Sequence, residues 1–89
     1  MTNDAARVVL YGRAGCHLCD VAREVVATAS ASAGVDWTEI DVDVAAATDG
    51  GALRRAYGER LPVVLVDGVP LGSYSVDAGL IAAALRVPR

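Results

Sequence analysis

The chain has 89 residues, 54% of them hydrophobic and 21% charged, with a net charge of −3 and an isoelectric point near 4.8. That is enough for one modest core and argues against intrinsic disorder. All eight basic residues are arginines and no run of them forms a stripe, which excludes the clustered positive face that nucleic acid requires.

In chain order, residues 1–6 read as a loose lead-in with no apolar core of a signal peptide. "RVVLY" (Arg7 to Tyr11), ended by Gly12, reads as a buried strand. Leu18, Val21, Ala22, Val25, Val26 and Ala29 then share a helical stripe, with Gly34 as the stop. "VDWTEIDVD" (Val35 to Asp43) alternates. Thr38, Ile40 and Val42 fall on one side, while Trp37, Glu39, Asp41 and Asp43 fall on a side expected to be wetter, as in a strand near a sheet edge. Asp41 and Asp43 read as solvated strand-end acids. Thr48 and Asp49 offer caps for a short helix with Leu53, Ala56 and Tyr57 inward and Arg54 and Arg55 on its exposed face. Gly50 and Gly51 leave its start open. Val63 to Val66 is a buried strand, Asp67-Gly68 a two-residue hairpin turn, and Val69 to Leu71 the return, kept short or at an edge by Pro70. Ser75 is expected to cap a last helix carrying Leu80, Ile81, Ala84 and Leu85 inward, stopped by Pro88. Trp37, Tyr57 and Tyr74 read as packing mass and not as substrate platforms.

The order βαβαββα predicts one α/β domain over residues 1–89. Its βαβ crossover supplies two parallel strands and its hairpin two antiparallel ones, in one four-stranded mixed sheet with helices on both faces. The longest apolar run, Leu61 to Val66, falls far short of the roughly 20 residues of a membrane span. The expected compartment is the cytoplasm, where paired cysteines indicate catalysis or metal and not a structural staple.

The only two cysteines, Cys16 and Cys19, lie in "GCHLCD" at the turn from the first strand to the first helix, with the only histidine, His17, between them. Cys16 sits near a helix N-terminus, where free N–H groups and the macrodipole favour an anion. A thiolate there can have its pKa lowered from about 8.5 to roughly 3.5–7.5. His17 adds positive potential when protonated, and Asp20 opposes it. Cys19, one turn on and beside the apolar stripe, should be the more covered. Cys16 is therefore the candidate nucleophile and Cys19 the resolving thiol. Three readings compete. A dithiol–disulfide couple fits the spacing. A zinc or iron–sulfur site would need cysteines from a second chain, since zinc takes four ligands. A redox-sensing module would form the disulfide without turnover. Leu61 and Pro62 open the buried strand expected to lie beside the first one, facing the cysteines. A cis bond there would turn the Leu61 N–H and C=O toward an extended substrate.

Together "LYGRAGCHLC", "ERLPVVLVDG" and the closing helix resemble the glutaredoxin branch of the thioredoxin fold, and most closely its small bacterial glutaredoxin-like proteins without an assigned substrate. The likeness covers nearly the whole chain. It implies a thiol–disulfide oxidoreductase with a nucleophilic Cys16, a resolving Cys19 and a cis bond before Pro62. Arg13 matches a basic position that holds a glutathione carboxylate in glutaredoxins, and Gly72 the first of the family's two adjacent glycines. Ser73 replaces the second. The family's acid near the last helix, which receives the ammonium of glutathione, falls at Val76, flanked by Ser75 and Asp77. His17-Leu18 stands where Pro-Tyr is common. The dithiol chemistry thus carries over better than the glutathione site. The expected partners are a disulfide-bearing protein or small molecule and an external thiol or reductase as electron donor. No resident cofactor or metal is implied.

Overall fold

The computed structural model of the protein describes residues 6–72 and 75–87. Strand β1 (Val8–Gly12) leads to helix α1 (His17–Ala33), strand β2 (Trp37–Asp41), helices α2 (Val42–Asp49) and α3 (Ala52–Tyr57), strands β3 (Val63–Val66) and β4 (Val69–Pro70), and helix α4 (Ala78–Leu85). The sheet order is β2-β1-β3-β4. β1 pairs parallel with β2 and antiparallel with β3, and β3 pairs antiparallel with β4. This is the expected mixed four-stranded sheet, with β2 and the short Pro70 strand at its edges.

β1 and β3 are central and apolar because both their faces are covered. On one face Val8, Leu10, Val64 and Val66 pack with Ala22 and Val26 of α1 and Ile81 of α4. On the other, Tyr11 of β1 stacks on Tyr57 of α3 with ring centroids 4.9 Å apart. The turn between β3 and β4 uses Asp67 at φ 52° and Gly68 at φ 84°. Two successive positive φ values give the hairpin the twist its strands need, which is why Asp-Gly stands here. Arg7 fixes this turn from outside, bonding both Asp67 carboxylate oxygens at 3.0 and 2.7 Å and the Val87 carbonyl at 2.8 Å.

The structure corrects four details. First, the buried face of α1 is Cys19, Ala22, Val26 and Ser30, so Leu18 and Val21 are about half exposed. The sheet claims the face carrying Cys19, and the apolar stripe is rotated off it. Second, the acid-bearing side of β2 is not the wetter one. Trp37 packs on the core, and Glu39 is drawn inward by Arg23. Third, the β2 strand stops at Asp41, and an additional helix, α2, begins with the fully buried Val42. It ends where Gly50 and Gly51 both take left-handed backbone, at φ 68° and 83°, so that α3 starts separately. Ala56 on α3 is exposed. Fourth, Asp77 and not Ser75 caps α4. Its carboxylate accepts the Gly79 and Leu80 N–H groups at 2.7 and 3.2 Å. The shift of two residues leaves Leu80 half exposed and Ile81 fully buried. The expected roles of Ser73, Tyr74 and Pro88 fall outside the described residues.

Ile81 and Leu80 therefore differ sharply as test positions. Ile81→Ala should cost about 2–5 kcal/mol through lost burial and a residual cavity. Leu80→Ala should stay within about 0.5 kcal/mol, as exposed substitutions do. Chemical denaturation of both variants measures the contrast.

Candidate functional site

The chain leaves β1 at Gly12, which must pass close to the first turn of α1. A Cβ on Gly12 would lie 3.3 Å from both Cβ and Sγ of Cys19, tighter than most packed contacts. Residues 13–16 then turn the chain so that Cys16 becomes the N-cap of α1. Its sulfur accepts the Cys19 N–H at 3.1 Å, and its carbonyl accepts the Asp20 N–H at 3.1 Å. An N-cap needs a side-chain acceptor for an unpaired N–H. Here sulfur fills that role, and it fills it better as a thiolate than as a thiol.

Cys16 and Cys19 are joined as a disulfide, with Cα atoms 5.1 Å apart. Cys19 is fully buried, in a small cluster with Val42 and Leu61. Cys16 is half-buried at the rim of that cluster, beside Tyr11, Leu53 and Tyr57. Burial, then the neighbouring Tyr57, pushes the Tyr11 hydroxyl above its ordinary pKa, so Tyr11 stays neutral beside the sulfurs. The Leu61–Pro62 peptide is cis, and Pro62 is fully buried. His17 is exposed on the first turn. Asp20 is held at 2.9 Å by Arg23, which also bonds both Glu39 oxygens at 2.6 and 2.7 Å. The acid nearest Cys16 in α1 is thereby partly neutralised.

Arg13 is committed within the chain. Its Nε and Nη2 donate to the two oxygens of Asp43 at 3.0 Å each, and Nη1 donates to the Gly58 carbonyl at 3.3 Å. Arg54 joins the same carboxylate at 2.9 Å. These two guanidinium groups hold the Asp43 carboxyl below its ordinary range, Arg13 more strongly. One residue pair back, Asp41 caps α2 by accepting the Asp43 and Val44 N–H groups and also accepts the Ala14 N–H at 3.0 Å. The two acids read as solvated from sequence thus anchor the active loop to α2 and α3. The signal was available: an Asp with a second Asp two residues on, leading into Val44 and three alanines, is an N-cap pattern.

The structure brings Cys16, Cys19, Leu61 and Pro62 together and places Arg13 and His17 on the same turn. Gly72, at φ 116°, and Ser75 are exposed. Among the described residues, no three His, Cys, Asp or Glu side chains converge as metal donors. No helix of the described residues is long and apolar enough to cross a membrane.

The sequence pattern of the Glutaredoxin-like domain (DUF836) matches residues 7–86, which span every element of this fold. The chain belongs to that family. It is 46% identical over 71 residues to uncharacterized proteins of Mycobacterium tuberculosis and Mycobacterium bovis, an overlap of 80% of this chain and 73% of theirs. Among solved structures it resembles a structural-genomics target from X. campestris, at 36% identity and TM-score 0.68, covering 91% of this chain and 99% of that one. A solution structure from Nitrosomonas europaea gives 29% identity and TM-score 0.68, covering 93% and 96%. The glutaredoxin of Archaeoglobus fulgidus, at 18% identity, TM-score 0.59 and coverage of 94% and 90%, shares the fold.

The Asp43 ion pairs have a pH signature. Because the folded pKa of Asp43 is depressed, its contribution is complete above the ordinary carboxylate value near 4 and is lost as pH falls through the lower folded value. Asp43→Asn should therefore be less stable than wild type at neutral pH, and the gap should close in strong acid. Denaturation midpoints across pH check this, and a gap independent of pH would disprove it.

Proposed function

We infer that this glutaredoxin-like protein is a dithiol thiol–disulfide oxidoreductase. The observation that carries the reading is the asymmetry of the cysteine pair. One sulfur lies at the rim, on an unpaired N–H of a helix start, and the other is completely buried behind it. In the reduced protein the Cys16 thiolate attacks a substrate disulfide and forms a mixed disulfide, releasing one substrate thiolate. Cys19, deprotonated, then attacks the Cys16 sulfur, frees the second substrate thiolate and leaves the Cys16–Cys19 disulfide. Two electrons pass to the substrate, and an external thiol or a reductase returns them to the protein. Leu61, packed against Cys19, presents its backbone beside the pair for an extended substrate. A reducing cytoplasm is the compartment that suits such a cycle.

Glutathione is a poor electron donor in this reading. Arg13 already holds Asp43, Val76 packs on the core where the family's acid would stand, and the Asp77 carboxylate is spent on capping α4. One lost charge-assisted hydrogen bond lowers affinity by roughly ten- to a hundredfold. The rate at which glutathione reduces the Cys16–Cys19 disulfide, measured beside that of a dithiol, tests this. Turnover at the level of a glutathione-dependent glutaredoxin would contradict it.

The role assignment has its own test. Cys19→Ser should trap a mixed disulfide through Cys16, and Cys16→Ser should abolish turnover. Iodoacetamide near neutral pH should label Cys16 of the reduced protein first. Preferential labelling of Cys19 would reverse the roles. A reversible disulfide without any substrate reduction would make the protein a redox sensor instead.

A further inference from the structure

We propose that the cleft between Arg13, on the loop before Cys16, and helix α3 binds an acidic polypeptide segment next to the substrate's disulfide. The proposal rests on Cys16 as the nucleophile of the preceding section. The cleft, of about 890 Å³, runs from the active loop along α3 and is lined by Arg13, Arg54, Arg55, Gly58, Glu59 and Arg60 among others. Four of the chain's eight basic residues gather here in a protein of net charge −3.

Their charge is incompletely cancelled. Arg13 and Arg54 share one carboxylate, Asp43. Arg55 donates to the Gly50 carbonyl at 2.8 Å and Arg60 to the Ala56 carbonyl at 2.6 Å. Those bonds orient the guanidinium groups and neutralise nothing. Glu59 is the cleft's own acid. Asp49 lies in electrostatic reach of Arg55, but its carboxylate is occupied by three backbone N–H groups. Asp41 also acts on Arg13, but its carboxylate is likewise occupied by three backbone N–H groups and, like Asp49, it does not line the cleft. Along the cleft's own lining, four cations face one acid, Glu59. A guanidinium carries five N–H donors in a planar fork suited to carboxylates, so Arg55 and Arg60 keep donors for a ligand.

The position selects the ligand. Arg13 stands three residues before Cys16. Arg60 directly precedes Leu61, and its guanidinium lies 5.7 Å from the centre of the Tyr57 ring, which packs on the same small cluster as Cys16. A peptide lying along Leu61 with its cysteine at Cys16 therefore carries its neighbouring side chains past Arg60. A cleft with several separated guanidinium groups takes several carboxylates along a chain, more than one small anion supplies. In the reaction, the Cys16 thiolate bonds to the peptide sulfur and expels its partner as a thiolate. Cys19 then expels the peptide thiolate. Both take protons from water, and the dithiol loses the two electrons the substrate gains.

The test uses pre-reduced protein in single turnover against two peptides whose one cysteine carries thionitrobenzoate. Asp and Glu flank that cysteine in one peptide, Asn and Gln in the other. Release of thionitrobenzoate gives the rate. The acidic peptide should react about three- to tenfold faster at low salt, and the ratio should fall toward one as salt screens the exposed charges. Arg55→Gln with Arg60→Gln should collapse the ratio, and Arg55→Lys with Arg60→Lys should keep most of it. Equal rates for the two peptides in wild type overturn the proposal and leave the dithiol chemistry standing. Glutathione carrying the same label is the small-molecule arm. If it gains as much as the acidic peptide, and loses it in the same glutamine variant, the cleft serves a small anion and the proposal fails. No reaction with any probe overturns the dithiol reading and the proposal together.

Discussion

The hydrogen bond from the Cys19 N–H to the Cys16 sulfur joins the fold to the chemistry. A helix must satisfy its first N–H groups, and α1 does so with sulfur where Ser, Thr, Asp or Asn would be usual. The requirement that starts the helix is thus the one that stabilises negative charge on that sulfur. The helical geometry then sets Cys19 one turn on, directly under the cap. Gly12 is the reciprocal condition. The strand feeding the turn passes so close to Cys19 that a side chain there would press on its sulfur.

Around this junction, burial separates the two thiols in the direction that their places on the helix predict. Cys19 is sealed by Val42 from α2 and Leu61 from the segment before β3. Asp41 and Asp43 tie α2 and α3 to this junction. Asp41 caps α2 and grips the Ala14 N–H of the active loop, and Asp43 ties Arg13 to Arg54 on α3. The loop bearing Cys16 is therefore fixed from both its ends: by the helix it caps and by the edge strand it passes. Exposed ion pairs taken singly contribute little, but pairs that share Asp43 hold a geometry that neither would hold alone.

Patterns with a local cause were legible in the sequence. Asp67-Gly68 gave the hairpin because its backbone demands are intrinsic to those residues. Gly34 gave the end of α1, and Pro70 the short edge strand. Errors arose where a tertiary neighbour decided. Leu18 and Val21 fit the apolar stripe of α1 as well as Cys19 does, and only the position of the sheet turns Cys19 inward. Asp41 reads as the end of a strand until Val42 is seen to be fully buried, which makes the acid a cap and the following alanines a helix. Ser75 and Asp77 are both good caps, and Val76 decides between them by packing against the core. At the site, the cysteines and Leu61-Pro62 were readable from spacing and context. The partnership of Arg13 with Asp43, 30 residues apart, was not.

That partnership bears on how such a scaffold changes its substrate. A basic residue before the first cysteine is free to receive a carboxylate only while nothing in the chain competes for it. Here an aspartate at the start of α2 supplies that carboxylate permanently, and a second arginine reinforces it. An external carboxylate must displace Asp43, which is already bonded to both arginines and tethered in the same chain, so the intramolecular partner holds the advantage of proximity. Charge left over for a ligand then lies on α3 at Arg55 and just beyond the helix at Arg60, away from the position shared with glutaredoxins. In the proposed reading, keeping the cysteine turn while moving the uncancelled charge would leave the dithiol chemistry intact and redirect which disulfide reaches it.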